Sequence, residues 1–396
     1  MKIVAGNIKR LLNALCTLLL IVTTMFAAGA ILGGCDVHEF PVINEDPVPD
    51  PEPEPEPEPE PVIPTHRKMV LHLQFDTLMP LHKNVTVPQT KSSKGGAQLT
   101  GDGYDVRYIV NVYPNENGTV SRTLDTSFVI TRDRVDSLDY TAQVELEGGD
   151  YTILVWSDYV NQGSLADNFY NTDDFTKLYI GGDEHIGGND YRDAFRGSQQ
   201  SIVQAPVSAS DTLAQVVEIS MGRPMAKYKF ISTDYKQFIT YATQLAKERA
   251  LQKAWNMGRM GFDNVEMAGS KAPDISGYTI VFKYSGYMPH QFNMFTNKPS
   301  DSKTGVTYRC SIDALGEEEA LLGFDYVFVN GSESSVQVAL QVEDNEGNVI
   351  ANIGTIDVPL VRSKVTEVRG AFLTSKAQGG IGIDPGFDNE YNIFIR

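Results

Sequence analysis

Hydrophobic and polar positions divide the chain into three stretches. Residues 11–32 are apolar with almost no interruption, after a short basic start carrying Lys2, Lys9 and Arg10. This is the n-region and h-region layout of a secretory signal, although the run is also long enough to span a bilayer. Residues 36–65 have no hydrophobic periodicity and contain the run PEPEPEPEPEP at 51–61. From residue 66 onward the pattern has a period of two, as strands require. Met69, Leu71 and Phe75 mark a first strand, and Val106, Tyr108, Val110 and Val112 alternate along a second. SFVIT at 127–131, YTAQVELE at 140–147, YTILVWSDY at 151–159, TKLYI at 176–180 and LAQVVEISM at 213–221 bring the total to about seven. GGD at 148–150 reads as the turn of a hairpin.

The period changes only once. Thr233 or Asp234 is placed to cap a helix in which Phe238, Tyr241, Ala242 and Leu245 recur at helical spacing, running to about Trp255. Strands resume at 278–286, 325–329 and 335–344, with NG at 330–331 and NEG at 345–347 as turns. The last are 365–374 and 391–395, separated by a Gly-rich loop. Neither heptads nor βα alternation occurs. The expected fold is mainly β: two consecutive antiparallel β-sandwich domains at 66–223 and 224–396, the second with a helix at about 234–256.

The end of the apolar run decides the first stretch. LGGC, Leu32 to Cys35, resembles the lipobox of bacterial lipoproteins. Small residues let a peptidase hold the backbone closely, and only a cysteine thiolate makes the thioether to diacylglycerol. Residues 1–34 are then a signal peptide cut after Gly34, and Cys35 carries the lipid. Two or three acyl chains give stable anchoring where one is marginal. The following spacer, 36–65, cannot fold as helix or sheet, because proline lacks the amide hydrogen and pushes its predecessor to extended geometry. Polyproline II at ~3.1 Å per residue would let thirty residues reach ~90 Å. Asp36 and Glu39 beside the lipid site resemble the surface-export signals of Bacteroidetes lipoproteins, so the expected location is the outer membrane, facing outward.

Charge narrows the partners. The net charge is −18, and the spacer holds ten acids and no Lys or Arg. The folded part still has 30 bases against 41 acids, with no basic cluster on any predicted element. Nucleic acid, whose binding depends on cationic groups displacing counterions, is not an expected partner.

Six separated stretches resemble a family of Bacteroidetes surface lipoproteins: GGDYTILVWSDY, YRDAFRG, RPMAKYKFIST, GYMPHQFNMFTNKPSDSKTG, LLGFDYVFVNG and VPLVRSKVTEVRGAFLTS. That family is similar in turn to the fimbrillin and fimbrial-anchor (Mfa2/FimB-like) superfamily. The resemblance covers essentially residues 66–396. It implies two transthyretin-like domains and a non-enzymatic role in surface fimbriae or adhesion, as anchor, accessory subunit or adhesin. It also implies fimbrial subunits as partners through strand exchange, or a host or microbial surface ligand. The first strand, 69–75, and the last, 391–395, would be the exchanging elements. Arg67 and Lys68, just before the first strand, are where a protease could trim a polymerising subunit, although the favoured reading is simply polar residues at a strand start. A glycan-binding lipoprotein of a nutrient-uptake system is the alternative.

The residues suggest no catalytic site. None of the histidines falls at HExxH or at zinc-like spacing with cysteine. GxSxG and P-loop patterns are absent from the sequence. An acidic stretch with Asp173, Asp174, Asp183, Glu184, His185, Asp190 and Asp193 has the oxygen ligands calcium prefers. Its spacing matches no known loop, so neither a metal nor any other cofactor is expected. Cys310 reads as a small buried hydrophobe and Trp156 as core; Trp255, near a helix end, is open to either role.

Overall fold

Strand β1 (His66–Phe75) starts two residues after Pro64, the last proline of the spacer. A computed structural model describes residues 62–77, 103–133, 138–256, 275–374 and 392–396. The signal, Cys35, the spacer up to residue 61 and the loops at 84–102 and 375–390 lie outside these residues. The first half continues with β2 (Tyr104–Glu116), β3 (Thr119–Val120), β4 (Thr126–Asp133), β5 (Tyr140–Glu147), β6 (Gly149–Asn161), β7 (Tyr170–Asn171), β8 (Leu178–Ile180), β9 (Phe195–Val203) and β10 (Gln215–Gly222). After β11 (Met225–Ser232) comes the long helix α1 (Tyr235–Asn256). Then follow β12 (Thr279–Tyr284), β13 (Met288–Asn293), β14 (Lys298–Lys303), β15 (Thr307–Ser311) and β16 (Asp313–Ala314). The chain ends with β17 (Ala320–Phe328), β18 (Glu333–Glu343), β19 (Val349–Val361), β20 (Val365–Gly370) and β21 (Asn392–Ile395).

The fold is mainly β, in sheets of eight, five, four and four strands among the described residues. The eight-stranded sheet runs β3-β2-β6-β9-β10-β1-β5, with β4 also on β2. It wraps round one core: Met69, Leu71 and Leu73 of β1 meet Val106, Tyr108 and Val110 of β2 and Ile153 and Val155 of β6. The sheet narrows to two residue pairs where β9 meets β10.

Three expectations are corrected here. First, β5 and β6 are not a hairpin. β5 pairs with β1, whereas β6 pairs with β2 and β9. The GGD stretch is a corner at which the chain crosses from one side of the core to the other. Gly148 fits there because an added Cβ would lie 2.8 Å from Cβ of Ala205. Second, the sheets are not wholly antiparallel: β1 runs parallel to β10, and β11 parallel to β20. Both pairs join strands far apart in sequence, so no tight turn dictates direction. Third, the alternation read along β2 is incomplete. Residues 105–113 of β2 and 151–160 of β6 are buried continuously. Their second face, with Ile109, Leu154 and Trp156, packs against a core shared with the other half of the chain.

That shared core also joins Tyr170, Phe175 and Leu178 to Phe292, Phe328 and Tyr228. Strands β7 and β8 are hydrogen-bonded not to the large sheet but to β13, completing the sheet β14-β13-β8-β7. Both halves therefore contribute to one sheet and one core. Helix α1 lies within the span expected for it. Phe238 and Ala242 are fully buried, but Tyr241 is 46% exposed and Trp255 is 68% exposed. The carboxylate of Asp234, just before the helix, accepts from the amide (2.8 Å) and hydroxyl (2.7 Å) of Thr374 and so holds the 371–374 segment.

Candidate functional site: a cleft above a buried charge network

A cleft of about 610 Å³ lies between two loops. One wall is the segment from Ile180, at the end of β8, to Gly187; the other runs from Lys303, at the end of β14, to Arg309 in β15. Met288 and His290 of β13 contribute the base. Glycine makes the first wall possible. A Cβ on Gly187 would stand 2.2 Å from the ring of Tyr308, and the amide of Gly188 donates to the carbonyl of Phe324 at 2.7 Å. Gly187→Ala is expected to destabilise the protein by ~1–3 kcal/mol, the usual range for overpacking. Denaturant titration would measure it against Gly316→Ala, whose Cβ would have nothing within 4 Å.

Beneath the cleft lies Asp325 of β17, 1% exposed. Its Oδ2 is 2.6 Å from Nε2 of His185 and accepts from the hydroxyl of Tyr284 at 2.7 Å. Its Oδ1 accepts from the guanidinium of Arg192 and from the amide of Tyr326. A carboxylate can only accept, so Nε2 of His185 carries the proton on that side. Arg192, also 1% exposed, donates in addition to the carbonyl of Ile186 at 2.8 Å. Burial opposes the charge on Asp325, yet Arg192 and His185 hold its carboxyl below the usual range. The hydroxyls of Tyr284, Tyr228 and Tyr308 form a chain leading away from it, at 3.0 and 2.9 Å. Burial raises the pKa of all three well above 10, so they act as neutral donors.

The short stretch DYRD, 190–193, organises this region. A 3-10 turn spans Asp190–Arg192. Arg192 reaches Asp325; Asp193 accepts from Arg223 at 2.8 and 2.9 Å; Asp190 meets the ammonium of Lys227 and accepts from the hydroxyl of Tyr326 at 2.9 Å. Three successive charges of the first half are thus paired with groups from residue 223 onward. Each pairing keeps a desolvated charge from being left alone, which is the costly condition.

His290 differs from these groups. It is 8% exposed, and its side chain makes no hydrogen bond among the described residues. Burial lowers its pKa to about 4, and the nearby cations of Lys303 and Arg192 act in the same direction. At neutral pH it is an uncharged imidazole with donor and acceptor both available. Tyr179, 36% exposed, sets its ring 5.9 Å from that of His290.

The acidic stretch considered for calcium is dispersed. Asp174 accepts from Thr176 at 2.8 Å, Asp173 from Asn171 at 3.1 Å, and His185, Asp190 and Asp193 are bound as above. Asp183 and Glu184 alone remain on the cleft rim. Among the described residues no three His, Cys, Asp or Glu side chains are grouped to hold a metal. Trp156 is fully buried. Burial pushes the partly buried thiol of Cys310 up to about 12. Arg67 is pinned: its guanidinium meets Asp211 at 2.6 Å and the carbonyl of Leu213 at 2.8 Å. Lys68 is exposed but lies within β1, opposite Glu145. Reading the sequence missed the Arg192–Asp325 pair. Its one signal was a lone acid inside the apolar run LLGFDYVFV.

A family profile described as a family of unknown function, DUF6562, matches residues 64–395. The chain belongs to that family. No curated protein matches it. Among solved structures, this DUF6562 chain is similar to the fimbrial anchor protein Mfa2 of Porphyromonas gingivalis, with 10% identity over 76% of this chain and 90% of that one (TM-score 0.37). A candidate adhesin of Bacteroides ovatus has 12% identity over 73% of this chain and 78% of its own (TM-score 0.38). A Bacteroides thetaiotaomicron protein described as a candidate polysaccharide-binding protein has 12% identity over 72% and 80% (TM-score 0.38). Among the described residues no helix of this DUF6562 protein is long and apolar enough to cross a membrane.

Proposed function

We propose that this is a non-enzymatic, lipid-anchored surface protein of fimbrial type, serving as anchor, accessory subunit or adhesin. Cys35 would hold it to the outer membrane and residues 36–65 would lift it away. Residues 66–223 and 224–396 would be two transthyretin-like sandwiches. The observation that carries this reading is where the spacer enters the fold. It leads straight into β1, which is paired on both sides: Met69–Phe75 with β10 and His66–Leu73 with β5. Tension on the tether would load two ladders along their length together, so many hydrogen bonds would have to break at once. A tethered surface protein needs that kind of attachment; a freely diffusing one does not.

The same geometry favours retention of β1. Cleavage beside Arg67 or Lys68 requires an extended, accessible backbone, and both residues lie within the β1–β5 ladder. The protein reads as an untrimmed anchor or stand-alone adhesin.

Mass spectrometry of the protein from its own cell surface tests this. The expected result is an acylated Cys35 and a peptide joining the spacer to THRKMVL. An N-terminus just after Arg67 or Lys68, or beyond β1, would overturn it and indicate a polymerising subunit whose lipid is temporary.

A further inference from the structure

We propose that the cleft binds one uncharged sugar unit at the end of a glycan, with paired hydroxyls on Asp183 and Glu184 and others on His290 and Lys303. This inference rests on the surface-protein reading above and names its ligand class. Four observations lead to it. The volume of about 610 Å³ lies within the usual range of small-ligand sites. Met288 and Tyr308 shape its base without presenting a face to it, since both are buried and the Tyr308 ring is stacked on Phe282, so recognition falls to the polar groups around them. His290 is nine-tenths buried, lines the cleft and has no hydrogen-bond partner among the described residues. Its ring nitrogens are not sealed from solvent, so a ligand hydroxyl can reach them by displacing cleft water. Finally, Asp183, Glu184 and Lys303 make neither a salt bridge nor a side-chain hydrogen bond among the described residues, although neighbouring charges do.

The mixture of groups selects the chemistry. An anion would meet Asp183 and Glu184, and a cation would meet Lys303 and Arg309. A neutral polyol suits both sides, because each hydroxyl donates to a carboxylate and accepts from an ammonium. Imidazole does either, and His290 is neutral at physiological pH because its pKa is lowered to about 4. Its place in the site therefore depends on hydrogen bonding and not on charge.

The test uses the full mature lipoprotein in detergent micelles. A glycan array with neutral, acidic and amino-sugar termini identifies a hit, and calorimetry then titrates the terminal monosaccharide of that hit. Neutral termini are expected to bind. His290→Phe is expected to weaken binding about tenfold or more, while His290→Gln, which keeps a donor and an acceptor, retains most of it. The pair Asp183→Asn and Glu184→Gln is expected to weaken binding similarly; these side chains are exposed, so their loss does not threaten folding. Trp255→Ala, outside the cleft, leaves binding unchanged. No binding across the array, preference for acidic termini, or binding indifferent to His290→Phe would overturn the inference. Mass spectrometry of the same sample separates the two readings. An acylated Cys35 without sugar binding removes only the sugar site, whereas an unacylated Cys35 removes the surface-anchor reading.

Discussion

Replacing Asp325 by Ala is expected to destabilise the folded unit by ~3–5 kcal/mol, because it leaves Arg192 buried without its counter-charge. Both residues are 1% exposed, so water cannot take the place of the missing carboxylate. Equilibrium denaturation at neutral pH measures the loss. The double variant Arg192→Met with Asp325→Leu removes both charges and is expected to be far milder, because no isolated charge remains. The effect should also depend on pH. The Asp325 carboxyl is held below the usual range despite burial. A depressed folded pKa contributes stability that is complete above the ordinary value of about 3.9 and is lost as pH falls through the lower folded one. The gap between wild type and Asp325→Ala is therefore widest near neutrality and narrows in acid. A neutral-pH loss below ~1 kcal/mol would mean that the network is solvated and does not join the two halves of the chain.

Cys35→Ser is expected to abolish display on the cell surface. A serine hydroxyl cannot form the thioether, so no diacylglycerol is attached and the two- or three-chain anchor is lost. Metabolic labelling with an alkyne fatty acid should label the wild type and not the variant. Protease treatment of whole cells should degrade the wild-type folded unit and leave the variant untouched, since it no longer reaches the outer face. Unchanged display of the variant would support the competing reading of residues 11–32 as a permanent membrane span.

Much of the architecture was legible because it is local. The strand pattern identifies β1, β2, β5, β6, β10, β12 and β18, and the change to helical spacing locates α1 within a residue or so at each end. The turns at Gly331 and Gly347 adopt the positive φ that their NG and NEG contexts suggested (85° and 82°). Other strands were not legible. β9, FRGSQQSIV, contains too few apolar residues to stand out, and it forms because β6 offers it nine paired positions. β14, KPSDSK, is polar throughout and is held by β13 alone. A strand whose stability comes mainly from its neighbour leaves little trace in its own composition.

The sequence alone determined that the fold is mainly β, and it carries the expectation of a signal, a lipid-bearing Cys35 and a spacer. Each of these depends on contiguous residues, and so does the alternation that makes strands. Only the tertiary structure decided which strands pair, that β2 and β6 are buried on both faces, and that Arg192, His185 and Tyr284 converge on Asp325 from positions up to 140 residues away. The cleft belongs to this second group. His290 is one unremarked histidine in the chain, and it becomes a candidate contact only because folding desolvates it and leaves it unpaired beside Lys303. Burial and pairing are properties of the folded surroundings, and no spacing along the chain encodes them.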